Sequence, residues 1–192
     1  MKGNDKKKLI IEVARRKFSK FGFFKTTIEE IAKSARIGKA SIYHYFQNKE
    51  SLFKEVVEQE NIFLRNKIQE SIKRETSPQK QLKVYILIRM KFLKEMSNIN
   101  NALKDEYLEH YSFIEKLRLK NTQEELQTIK NILEYGKNCN IFCINDIELT
   151  AFAIIVALKG LEYSWSTEIP VSEMESNVDK LLEVLFYGII KR

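Results

Sequence analysis

An all-α fold is what this chain of 192 residues predicts, and two observations predict it. Glycine and proline, the commonest helix breakers, number only six and two, which favours long unbroken segments. Apolar residues recur at steps of three and four through most of the chain, the period of a helix with one buried face. The charge is uneven: of a net +7, residues 1–50 carry a balance of +8 and residues 51–192 a balance of −1. With 44% hydrophobic and 31% charged residues the composition is that of a folded domain, not a disordered chain. The expected architecture is about nine helices, a three-helix head over residues 1–48 and a helical body over residues 49–192.

The first helix is expected from about Asp5 to Phe21, with Ile10, Val13, Ala14, Phe18 and Phe21 recurring at helical spacing among charges and Gly22 as its stop. Thr26 and Thr27 offer overlapping capping boxes with Glu29 and Glu30. Thr27 is the better cap, because Ile28, Ile31 and Ala32 then form the inward stripe of a second helix ending near Ala35. A third begins after Gly38 and carries Ile42 and Phe46 inward, four residues apart on one face. Asn48 caps a fourth that starts at Lys49 and keeps Leu52, Phe53, Val56, Val57 and later Ile62 in phase.

In the body, Thr76-Ser77-Pro78 marks a boundary with proline in the first turn of the next helix, which Leu82, Tyr85, Ile86, Arg89, Met90 and Leu93 define. A break is expected at Asn98–Asn101, then an amphipathic stretch from Ala102 to Asn138 interrupted into two helices. Gly136–Asn140 and Asn145-Asp146 frame a loop holding both cysteines. Ile147–Trp165 is apolar nearly all round and should be buried on more than one side. Val178, Leu181, Leu182, Leu185, Phe186 and Ile189 stripe the final helix.

Residues 26–53 therefore read as two short helices split by a tight turn, the layout that puts a helix into a DNA major groove. With Ile42 and Phe46 anchoring it from behind, Lys39, Ala40, Ser41, Tyr43 and His44 face out. Small residues at 40 and 41 let the backbone approach closely, and Lys39 can reach a phosphate or a guanine edge. Tyr43 and His44 can hydrogen-bond to either. Thr27 at a helix N-terminus can bind a phosphate, and Lys49 at the next one can supply a second clamp.

As an ordered set, Phe18, Gly22, Thr27, Ile28, Ile31, Ala32, Ala35, Lys39, Ser41, Ile42, Tyr43, Phe46, Lys49 and Leu52 resemble the TetR-type transcriptional regulators. The resemblance implies contacts to operator DNA from Thr27, Lys39, Ala40, Ser41, Tyr43, His44 and Lys49. It also implies a body that dimerises through its last two helices and is often hollow around a small ligand. Two positions depart from the family pattern. Arg36 stands where glycine is usual, so it is expected in the left-handed region at a cost of about 1 kcal/mol. Gly38 stands where a serine cap is usual, a loss of only a few tenths of a kcal/mol.

For the dimer the candidates are Phe152, Val156, Gly160, Tyr163, Leu182, Leu185, Phe186 and Ile189, since the two last helices hold more apolar surface than one subunit can cover. For a ligand they are Tyr85, Arg89, Phe92, Met96, Tyr107, Tyr111, Phe152 and Trp165. Arg89 lies in an apolar stripe, and a protein carboxylate such as Glu106 or Glu109 is its favoured partner over a ligand's.

Cys139 and Cys143 suit a reducing compartment and are expected as buried thiols; with His110 they make no metal set of recognisable spacing. No cofactor or metal is expected. The sequence holds no Gly-rich phosphate loop, no HExxH and no nucleophile–base set, so an enzyme is not expected. The longest uncharged apolar run, Ala151 to Leu158, falls far short of the ~20 residues that span a bilayer, and a cytoplasmic location is expected. The expected function is a homodimeric repressor that binds a pseudo-palindromic operator in double-stranded DNA. An apolar or amphipathic small-molecule effector would release it. The competing reading is a basic helical protein that binds DNA or a membrane surface without specificity and without an effector.

Overall fold

The computed structural model describes residues 3–95 and 112–188. Among them are eight helices and no strand: α1 (Gly3–Phe21), α2 (Ile28–Ala35), α3 (Lys39–Tyr43), α4 (Lys49–Lys73), α5 (Pro78–Glu95), α6 (Ser112–Asn138), α7 (Ile147–Thr167) and α8 (Val171–Tyr187). The fold class is all-α, as expected, with a helix number close to nine. Met96, Tyr107, Tyr111 and Ile189 lie outside the described residues, as do Glu106, Glu109, His110 and the expected break at Asn98–Asn101. The chain divides into two units, one built on the residues through Phe63 and one on Leu64–Glu95 and the residues from Glu115 onward.

In the first unit each helix boundary has a local cause. Gly22 ends α1 at φ +81°, its N–H donating to the Phe18 carbonyl at 2.8 Å, a conformation that costs glycine nothing. Thr27 caps α2 through a reciprocal box: its N–H donates to Glu30 Oε2 at 2.9 Å, and the Glu30 N–H donates to Thr27 Oγ1 at 3.2 Å. Thr26 is fully buried instead and donates its hydroxyl to the Gly22 carbonyl at 2.8 Å. Asn48 opens α4 in the same way as Thr27 opens α2, accepting from the Ser51 N–H at 2.7 Å.

The turn between α2 and α3 runs through Arg36 at φ 54°, ψ 43°, the left-handed conformation expected of it. Its N–H and that of Ile37 donate to the carbonyls of Lys33 (3.2 Å) and Ala32 (3.0 Å), satisfying the end of α2. Gly38 then caps α3 without a side-chain bond. The core beneath is Phe18 edge-on to Phe53 (5.0 Å between centroids) and Phe23 against Phe53 (4.9 Å), with Ile10, Ile31, Ile42 and Leu52 fully buried. Such ring pairs add about 0.5–1.5 kcal/mol each beyond the area they bury.

In the second unit α5 packs against α7 and α8, its proline in the first turn as expected. Lys83 on α5 bridges Asp179 (2.7 Å) and Glu175 (3.1 Å) on α8, and the Asp179 hydrogen bond raises the ammonium pKa. Asp146 caps α7 by accepting from the Leu149 N–H at 2.9 Å. The described part of the stretch expected as two helices is one unbroken helix, α6.

One expectation is corrected. Both cysteines are exposed, not buried. The loop that carries them is held down by Phe142, whose ring lies where a side chain on Gly136 would stand, 2.1 Å from an ideal Cβ. Phe142 also stacks on Phe186 at 5.6 Å, so the aromatic ring takes the interior place and the thiols are left outside. Among the described side chains of α7 in this one chain, Ala151, Ile155 and Leu158 are buried, whereas Leu149, Phe152 and Val156 are open.

Replacing Arg36 by glycine removes the left-handed penalty at the turn, part of it offset by the greater freedom of the unfolded chain. Thermal or urea unfolding should show a gain of about 0.5–1 kcal/mol. A loss of stability would mean that the arginine side chain contributes more to the turn than its backbone conformation costs.

Candidate nucleic-acid interface

The face expected to meet DNA is built by α2, the left-handed turn and α3. Ile42 is fully buried and Phe46 nearly so, and together they fix α3 from behind. The Phe46 N–H closes the helix end on the Ile42 carbonyl at 2.9 Å. Lys39, Ala40, Tyr43 and His44 are left exposed, with Tyr43 46% accessible, and Ser41 is half-buried. A helix of five residues is marginal alone, so this geometry depends on the two anchors.

The cations and donors of the face are engaged by groups of the head itself. The Lys39 ammonium pairs with the Glu29 carboxylate on α2 and lies 5.6 Å from the centre of the Tyr43 ring. The hydrogen bond from Lys39 holds the Glu29 carboxyl below the ordinary carboxylate range, and in return Glu29 raises the Lys39 pKa. A depressed carboxyl contributes above its unfolded pKa and is lost as pH falls through the folded value. A raised ammonium contributes below its unfolded pKa and is lost as pH rises through the folded one. The pair is therefore intact through the whole neutral range.

At the start of α2, both the N–H and the hydroxyl of Thr27 lie against Glu30 Oε2, at 2.9 and 3.1 Å. These bonds hold the Glu30 carboxyl below its usual range. Lys49 donates to the Phe23 carbonyl at 3.0 Å and sits 4.4 Å from the Phe23 ring centre. In this state it ties α4 to the connection after α1. His44 lies edge-on to Tyr45 at 4.9 Å.

Among the sequence candidates, Lys39, Ala40, Ser41, Tyr43 and His44 thus share α3 and its end, Thr27 stands at the α2 N-terminus, and Lys49 is turned onto backbone carbonyls. Glu29 was not a candidate. It lies ten residues from Lys39 across a turn, and only the folded turn brings the two together.

The remaining candidates belong to the second unit. Tyr85, Arg89, Phe92 and Trp165 are buried there. Arg89, 5% exposed, donates from Nε to Glu125 Oε1 at 2.6 Å, so its carboxylate partner comes from α6. Phe152, a candidate for both ligand and dimer, points outward at 54% exposure. With Val156 (51%) and the exposed Gly160 it follows the i, i+4, i+8 spacing of one helix face. No atom lies within 4 Å of a Cβ added at Gly160. On α8, Leu185 is exposed and Phe186 half-buried, whereas Leu182 sits in the core. The side chain of Tyr163 is outside the described ones.

Residues 10–56 match the model of the bacterial regulatory proteins, tetR family. The chain is 27% identical over 180 residues to the HTH-type transcriptional regulator YhgD of Bacillus subtilis, covering 94% of each. It is 27% identical over 188 residues to the HTH-type transcriptional regulator QacR of Staphylococcus aureus, covering 95% of this chain and 97% of that one. Among solved structures it is similar in fold to the transcriptional regulator FadR from Bacillus subtilis in complex with stearoyl-CoA. That match has a TM-score of 0.74 at 20% identity, over 95% of this chain and 99% of that one.

Glu29→Gln should tighten binding to duplex DNA about two- to fivefold, because it releases Lys39 and removes a negative charge from the face. The Thr27–Glu30 box is untouched, so the melting temperature should fall only slightly, by what an exposed ion pair and one first-turn charge contribute. Fluorescence anisotropy on a labelled duplex reads this directly, and unchanged or weaker binding would remove Lys39 from the DNA-facing set.

Proposed function

Taking as premise that this chain belongs to the TetR family of transcriptional regulators, we propose that it is a homodimeric repressor of a pseudo-palindromic operator. Each head reads one half-site with α3 in the major groove. The observation that carries this reading is the exposed row Lys39, Ala40, Tyr43 and His44 on a helix fixed from behind by Ile42 and Phe46. Phosphate contacts come from Thr27 and Lys49 once their present partners are exchanged for phosphate oxygens. The exchange of Glu30, Glu29 and two carbonyls for phosphates makes binding conditional on the close approach of a duplex.

Dimerisation is proposed through the outward face of α7, with Phe152, Val156 and Gly160, joined by Leu185 on α8. That face is apolar, exposed and open at Gly160 to a helix of a second copy. Release is proposed by an apolar or amphipathic effector taken up by the second unit. The fold shared with a regulator solved with stearoyl-CoA supports that class of ligand. Binding the effector would favour a head spacing that no longer fits two successive grooves, through differential affinity for the two states. A regulator acting on the chromosome this way works in the cytoplasm, and no described helix is long and apolar enough to cross a membrane.

One selection experiment tests the whole reading. Enrichment from a random duplex library should recover a two-fold symmetric sequence with half-sites about one helical turn apart (~34–36 Å). The double variant Phe152→Lys, Val156→Asp should run as a monomer in analytical ultracentrifugation and fail to bind the recovered sequence, its helical content unchanged. Stearoyl-CoA should release the wild-type protein from it. Recovery of no consensus would sink the operator reading, a dimeric double variant the interface, and indifference to stearoyl-CoA the acyl-thioester class of effector.

A further inference from the structure

A groove of about 300 Å³ runs along the head between α1 and α2, lined by Val13, Arg16, Lys17, Lys20, Phe21 and Ser34. None of these belongs to the DNA-facing row of α3. The lining carries three positive charges and no negative one. Arg16 has Glu12 at 3.9 Å, but both side chains are well exposed, and such pairs hold little. The ammoniums of Lys17 and Lys20 lie each 5.2 Å from the centre of the same ring, Phe21, itself 45% exposed. Cation–π attraction thus holds both ammoniums beside one exposed ring, which leaves that end of the groove cationic.

The groove also abuts the start of α2. The Lys17 carbonyl lies 3.3 Å from the Thr26 hydroxyl. Thr27, proposed above as a phosphate contact, is the next residue. Ser34 comes from the same helix, two turns along.

We propose that this groove is a second footing for DNA, holding the sugar–phosphate backbone that flanks each half-site. The inference rests on the reading of the head as a DNA binder and extends its reach past α3. A shaped ligand site is the weaker occupant, because the polar lining is three long cations and one hydroxyl in an open trough. Flexible cations without fixed acceptors follow a phosphate track and do not read a molecule's own pattern of donors. Lys17, Lys20 and Arg16 would lengthen the footprint and add to the salt dependence without adding sequence preference.

The test compares two duplexes carrying the selected operator, one trimmed to its palindrome and one extended by about one helical turn on each side. The variant is Arg16→Gln, Lys17→Gln, Lys20→Gln in the full chain. On the extended duplex the slope of log K against log salt should fall by about 0.9 for each phosphate that the variant no longer neutralises, up to about 2.7 per head. On the trimmed duplex wild type and variant should agree, and Lys17→Arg with Lys20→Arg should retain the wild-type slope on both. Equal slopes for wild type and variant on the extended duplex would overturn the proposal. So would an equal drop on both duplexes, which assigns the effect to overall charge. Failure to recover any operator strikes the head's reading instead, and the same slopes on a scrambled duplex of the extended length then decide the groove by itself.

Discussion

The candidate site depends on one backbone constraint, the left-handed residue between α2 and α3. Arg36 at φ 54° reverses the chain within three residues and lets the last carbonyls of α2 accept the N–H groups of Arg36 and Ile37. Without that reversal Ile42 and Phe46 would not be buried as they are, and a five-residue helix would have nothing to hold it. The exposed row of α3 and the meeting of Glu29 with Lys39 both follow from it. An arginine here accepts a steric penalty that glycine would avoid, and it leaves a cation at the edge of the face.

The second theme of the head is substitution. In the complex proposed above, phosphate oxygens would take places that the head's own groups now hold: Glu30 on the Thr27 N–H, Glu29 on Lys39, the Phe23 carbonyl on Lys49. These bonds satisfy donors that would otherwise be unpaired, and they set a threshold that a weak or distant anion does not cross. A duplex crosses it because it offers many phosphates at once and releases its own counterions. On that proposal, a preference for duplex over small anions would follow from the head's own bonds.

What was legible in the sequence was local. The Thr27 and Asn48 caps, the proline opening α5 and the strained turn at Arg36 are each decided by residues within four positions of one another, and the structure agrees with all of them. What was not legible joins distant residues. Lys49 to the Phe23 carbonyl spans 26 positions, and Arg89 to Glu125 spans 36. The cysteines are a local case that composition still did not decide: Phe142, next to Cys143, fills the space over Gly136 and leaves both thiols exposed. Apolar character on α7 told of burial but not of what covers it, because periodicity cannot separate a face packed within the chain from one awaiting a second copy.

Amide hydrogen exchange on the operator-bound protein measures the central claim most directly. Protection should rise across Lys39–His44 and at the first turn of α2 with the selected duplex, and much less there with a scrambled one of equal length. Protection confined to the basic first turns of α1, equal for both duplexes, would contradict the account and leave the head a non-specific polycation.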